Sequence, residues 1–208
     1  GEVLSAQARF TELSEMAPTD IRLVSLEDRI TTLPSVIAAL ERAAEAEATG
    51  DLSAAVEAAG DATRADPAHQ RAAARLGELS AALTRQQFND AMTAGYGAMG
   101  AKAFDTAEQQ FRTAAQLIPG APEPAAALIE LEQARTQNTL LGLRADGAQA
   151  EVEERWGDAV GLYEQALEID ALMLFATEGV ARAEPRADLD TRLDNIPKER
   201  DRLVDERI

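Results

Sequence analysis

Four stretches of this chain share one pattern of small and large residues: GEVLSAQARFTELSEMAP from Gly1, GDLSAAVEAAGDATRADP from Gly50, KAFDTAEQQFRTAAQLIP from Lys102 and ERWGDAVGLYEQALEIDA from Glu154. A repeat of this kind limits the fold more than any other feature, because one supersecondary unit must be stacked several times over a shared core. Each stretch begins at a turn, continues as a helix and closes at Pro18, Pro67 or Pro119, with Ala171 in the fourth. Proline cannot continue a helix, so these positions mark boundaries. A small residue opens each helix, at Ala6, Ala55, Ala107 and Ala159; a ring follows four residues later at Phe10, Phe111 and Tyr163, and Ala59 replaces it once. Apolar residues are 46% of the chain and aromatics 4%, mostly alanine with some leucine, which suits close helix packing and disfavours sheet.

The interval between units is long. Ala55 to Ala107 is 107 − 55 = 52 residues, and Ala107 to Ala159 is 159 − 107 = 52 again, while Ala6 to Ala55 is 55 − 6 = 49. Residues 68 to 99 contain no proline, and Ala72, Leu76, Leu79 and Leu83 followed by Phe88, Met92, Gly95 and Met99 step by three and four, which predicts one helix of about 45 Å. Between 20 and 49 a coiled-coil-like stripe runs Leu23, Leu26, Ile30, Leu33, Ile37, Leu40, Ala44, with Pro34 predicting a kink or break at a helix start. For 122 to 153 two readings stand, one long helix or an added separate one, since Gly142 and Gly147 weaken it. After Ala171 a last long helix is expected to about Ala183, with Pro185 and Pro197 dividing the tail into shorter pieces that cap the stack.

Ala107, Phe111, Ala114 and Pro119 reproduce the second helix of the tetratricopeptide repeat, and Ala159, Tyr163 and Ala166 follow it until the proline is lost. Ala43, Gly95 and Gly147, twelve residues earlier, match the small residue of its first helix. The chain thus resembles the tetratricopeptide-repeat family, which implies an all-α, right-handed solenoid of helical hairpins; against that family's usual period of about 34 residues, an interval of 52 adds eighteen and implies lengthened first helices. Residues 1–18 are then the second helix of an incomplete first repeat, 19–67, 68–119 and 120–171 the next three repeats, and 172–208 capping helices. From Asp51 to Leu193 the chain also looks like uncharacterised proteobacterial repeat proteins that carry a membrane helix near the N-terminus. That resemblance implies a periplasmic repeat region, anchored to the inner membrane in a longer full-length chain, with a cytoplasmic location as the alternative.

The resemblance implies a protein-binding scaffold or adaptor, not an enzyme, with partner contacts on the first helices at Leu40, Glu41 and Glu47, then Met92, Tyr96 and Met99, then Arg144 and Glu151. Leu40, Met92 and Arg144 stand where the family's clamp for a peptide C-terminal carboxylate would place basic residues, so that ligand is not expected. A formal charge of −17 disfavours nucleic acid and suits a protein or peptide with a basic patch. No cofactor or metal is expected. The only histidine, His69, sits beside Pro67 and reads as a solvated turn residue; Glu151, Glu153 and Glu154 read as a solvent-facing run, and Trp156 as a packing anchor between hairpins. The competing role is a spacer or self-association module whose long helices pair with a second copy.

Overall fold

The computed structural model describes residues 2–17 and 22–205, apart from the side chains at 2, 22, 25, 194 and 196–205. The Pro18 boundary lies outside the described residues. Every regular element among them is a helix: α1 (Glu2–Met16), α2 (Arg22–Ala48), α3 (Leu52–Ala65), α4 (Gln70–Gly100), α5 (Phe104–Leu117), α6 (Pro122–Val152), α7 (Trp156–Ile169) and α8 (Leu174–Asp205). Long and short elements alternate, with α3, α5 and α7 at 14 residues each and α4 and α6 at 31. The helix starts keep the sequence interval: Leu52, Phe104 and Trp156 are 52 apart, and so are Gln70, Pro122 and Leu174.

The same interval sets the turns. Gly50 adopts φ +83 after α2, and Lys102 and Glu154, 52 and 104 residues later, adopt φ 60 and 54 after α4 and α6. A left-handed residue ends a helix by turning its backbone back on itself, which glycine does freely and other residues do at a cost of about 1–2 kcal/mol. In the first of these turns Asp51 also caps α3, its carboxylate accepting from the Ala54 N–H at 2.9 Å. The Asp51 position is occupied by Ala103 and Arg155 in the later turns, and Arg155 makes no side-chain cap.

Of the expectations about helix length, one is decided and two need correction. α6 is one helix through Gly142 and Gly147, which decides between the two readings of 122–153. α2 is not broken at Pro34 and does not start there; it carries the proline inside. α8 likewise passes through Pro185 and Pro197 to Asp205 instead of stopping near Ala183. Pro34 and Pro185 both face solvent, so the carbonyl that each leaves without an N–H partner can be hydrated, and the surrounding helix holds.

The chain divides into two compact units, one of Gly1–Gly95 with Gln109–Pro124 and one of Tyr96–Glu108 with Ala125–Ile208. In the first unit α3 is packed on both sides. Val36 and Ala39 of α2 meet Ala62 of α3 and Ala72 of α4, while Ala43 meets Ala55, Ala58 and Ala59 of α3 with Leu79 of α4. Further along α4, Phe88 and Ala91 pack with Ala114 of α5. In the second unit α7 takes the corresponding place: Ala159, Tyr163 and Ala166 are buried with Ala150 of α6 and with Ala176 and Ala183 of α8.

Glycines fix how closely the helices approach. A Cβ on Gly147 would lie 2.7 Å from Cε1 of Tyr163, and one on Gly179 would lie 2.5 Å from the other edge of the same ring, so Tyr163 is clasped between α6 and α8. Phe111 lies against Gly95 in the same way and is fully buried, worth about 1.5–3 kcal/mol relative to exposure. Where the ring is missing, at Ala59, alanine stands in place of the facing glycine at Ala43, and both are buried in one cluster with Leu79.

Candidate protein-binding face

Along α2, the residues one step round the helix from the buried Val36, Ala39 and Ala43 are Ile37, Leu40 and Ala44, and they are left open beside the first half of α4. Two adjoining recesses form there.

 The first recess measures about 570 Å³ and is lined by Leu4, Ile37, Leu40, Glu41, Ala44 and Arg71. The second measures about 400 Å³ and is lined by Leu40, Ala44, Arg71, Arg75 and Glu78. Leu40, Ala44 and Arg71 belong to both, so the two are continuous along α2 and α4.

One wall of this groove is held by charge. Arg75 of α4 donates to Glu47 of α2 and, at 3.1 Å, to Glu78 of its own helix. The bond to Glu78 is the largest influence raising the Arg75 pKa, opposed by desolvation and reinforced by Glu47. Glu47 therefore fastens α2 to α4. Glu41, by contrast, is exposed at the first recess, and Leu40 lines both recesses while packing in part against Val36, Ala39, Ala62 and Ala72.

Met92, also in the first unit, packs against Phe88, Ala91 and Ala114, so it fills the seam between α4 and α5. In the second unit Tyr96 is 41% exposed; burial and then the Glu130 carboxylate push its pKa up. Met99 is half-buried. Arg144 sets its guanidinium 5.7 Å from the Phe175 ring centroid, a cation–π contact between α6 and α8. Glu151 accepts from Arg182 at 3.1 Å, and its carboxylate is the second cause, after burial, that raises the pKa of Tyr163. Arg144 and Glu151 thus join α6 to α8.

Two residues have roles that sequence reasoning missed. His69 is half-buried, and its Nδ1 accepts from the Ala72 N–H at 3.1 Å, so it caps α4 instead of standing in water. Asp66 is buried at the end of α3, where it accepts from the Ala68 N–H at 2.9 Å and from Arg29 at 2.9 Å. Burial alone would raise its pKa, and the bonds from Arg29 and Ala68 outweigh that and lower it. Pro67 marks the turn in the sequence, but nothing local points to Arg29, 37 residues from Asp66. Trp156 packs against the α7 core with the Arg186 guanidinium 4.8 Å from its ring centroid, in keeping with an anchor.

Among the described residues no helix is long and apolar enough to cross a membrane. No family model, no curated protein and no solved structure matches the chain.

Proposed function

We propose that this protein is a scaffold or adaptor of the tetratricopeptide-repeat type, which holds a protein or peptide partner on its long first helices and performs no catalysis. The groove between α2 and α4 carries this reading: an apolar lining of Ile37, Leu40 and Ala44 with charged Glu41 and Arg71 at its edge suits an amphipathic segment. The alternation of long helices with 14-residue ones, and the seating of Phe111 on Gly95 and Tyr163 on Gly147, support the family assignment. The formal charge of −17 favours a partner with a basic patch, by long-range attraction. A periplasmic site of action in a cell-envelope assembly rests on the sequence resemblance alone.

Crosslinking in the native cell, followed by identification of partners, tests this with Glu41→Lys and Ala44→Glu. Leu40 and Met92 are unsuitable for the purpose, since each packs against buried residues and a charge there would disturb the core. The two substitutions, both at exposed groove residues, are expected to remove the partner while leaving the melting curve close to wild type. A partner list unchanged by both substitutions would overturn the groove proposal.

A further inference from the structure

The turns that follow α3 and α7 are built alike, 104 residues apart. Asp66 and Asp170 end their helices at φ −141, ψ 95 and φ −146, ψ 105, and each donates its backbone N–H four residues back, to Ala62 and Ala166. Each carboxylate also accepts from the N–H two residues on, Asp66 from Ala68 and Asp170 from Leu172, both at 2.9 Å. The turns differ at the second carboxylate oxygen. Asp66 Oδ2 accepts from Arg29 of α2 at 2.9 Å, whereas the position of Arg29 in α6, 29 + 104 = 133, holds the uncharged Gln133. Among the described residues no Lys or Arg bonds to Asp170. Gln133 lines a recess of about 650 Å³ with Leu128 and Ile129, and the repeat puts that recess on the side from which Arg29 approaches Asp66.

The side chains around Asp170 are altered as well. Leu172 is 90% exposed where the α3–α4 turn has Ala68 and the α5–α6 turn has Gly120, and Ile169 and Leu174 beside it are exposed too. Large apolar side chains gathered in water at one turn mark a contact surface. The charge around them has one sign: residues 156–181 hold five acidic side chains and no Lys or Arg. In α6, Arg135 is engaged by Asp105 and Glu108, and Arg144 by Phe175. Such a surface repels an anionic lipid bilayer, a nucleic acid and a second copy of this acidic chain, and attracts a basic segment.

We propose that the α7–α8 turn docks a basic, amphipathic segment of another protein, whose arginine takes at Asp170 the place that Arg29 takes at Asp66, while its apolar side chains cover Ile169, Leu172 and Leu174. The partner thereby completes in trans an ion pair that the first unit makes within the chain. The surface belongs to the second unit and shares no residue with the α2–α4 groove of the first, so either site can fail without the other.

Fluorescence anisotropy of the full chain with a labelled amphipathic peptide of leucine, alanine and arginine tests this. Leu172→Ser should weaken binding about tenfold, as expected when a leucine side chain is no longer covered. Asp170→Asn keeps an acceptor for the Leu172 N–H and should weaken binding about two- to fivefold. Gln133→Arg should supply the absent cation from within the chain and so compete with the peptide, but only while Asp170 is present; in the Asp170→Asn background it should add nothing. Ala44→Glu, in the α2–α4 groove, should leave the affinity as it is. A peptide that does not bind, or that binds with wild-type affinity to both Leu172→Ser and Asp170→Asn, would overturn the proposal. Loss of binding in Ala44→Glu alone would put the peptide in the α2–α4 groove and overturn it equally. Should Leu172→Ser disturb the fold, wild-type affinity in both Asp170→Asn and Gln133→Arg would still refute the site.

Discussion

Gly147→Ala and Gly142→Ala change the same helix by the same methyl group, and the structure assigns them opposite outcomes. At Gly142 a Cβ meets nothing within 4 Å, so the substitution should gain the helix-propensity difference of about 1 kcal/mol. At Gly147 the same gain is set against a Cβ lying 2.7 Å and 2.8 Å from Cε1 and Cζ of Tyr163. The ring cannot retreat, because Gly179 holds its other edge. Overpacking of this kind costs about 1–3 kcal/mol, which leaves Gly147→Ala between neutral and about 2 kcal/mol destabilised. The two variants should therefore differ by about 1–3 kcal/mol, or several degrees in melting temperature at about 2–4 °C per kcal/mol for a chain of this size. Trp156 is the only tryptophan and belongs to the same cluster, so its fluorescence during urea or thermal unfolding reports this region. In a Tyr163→Ala background the clash is gone, and Gly147→Ala should become stabilising. Equal stability of Gly147→Ala and Gly142→Ala in the wild-type background would refute the clasp.

Lys102→Gly and Glu154→Gly should each stabilise by about 1 kcal/mol, because both residues hold a left-handed φ that Gly50 adopts freely at the equivalent turn; a loss of stability in chemical denaturation would contradict that. His69→Ala should cost about 1 kcal/mol through loss of the α4 cap, read from the urea midpoint, and an unchanged midpoint would return His69 to solvent. Arg29→Met should cost about 1.5–3 kcal/mol near neutral pH, since the buried Asp66 carboxylate loses a charged partner. Because the folded Asp66 pKa is lowered, its contribution is present above the unfolded value of about 3.9 and lost as pH falls through the folded one. The gap between wild type and Arg29→Met should thus close on acidification, and parallel melting curves from pH 3 to 7 would be evidence against the pair.

The repeat made the hairpins legible, since small residues and rings at fixed spacing describe the contact between neighbouring helices directly. Ala107, Phe111 and Ala114 are all fully buried, as are Ala159 and Ala166. Prolines misled the reading. At Pro34 and Pro185 the sequence records a lost N–H, but whether the orphaned carbonyl meets water or protein depends on which way the helix faces. The site was legible in part. Leu40 and Glu41 line a groove, whereas Glu47, Arg144 and Glu151 are engaged by Arg75, Phe175 and Arg182, residues 28 to 31 positions further along. Spacing within one helix carries no information about which side chain a neighbouring helix will bring to it.

The added length has a physical use that joins these observations. In α4 the contacts to the two neighbouring short helices are separated along the axis, with Ala72 and Leu79 serving α3 and Phe88, Ala91 and Gly95 serving α5. At about 100° per residue the two faces lie roughly 130° apart, and eighteen residues make about five whole turns, so lengthening moves the faces along the axis by about 27 Å without rotating them. Rotation, not length, is then the constrained quantity. One alanine inserted between Leu83 and Gln87 turns one face by about 100° against the other and should unfold part of the first unit. Seven alanines turn it by only about 20° and should be tolerated far better, despite being the larger change. Circular dichroism melts of the two insertions decide the matter: if the seven-residue insertion is the more damaging, axial distance and not helical phase governs how these long helices are used.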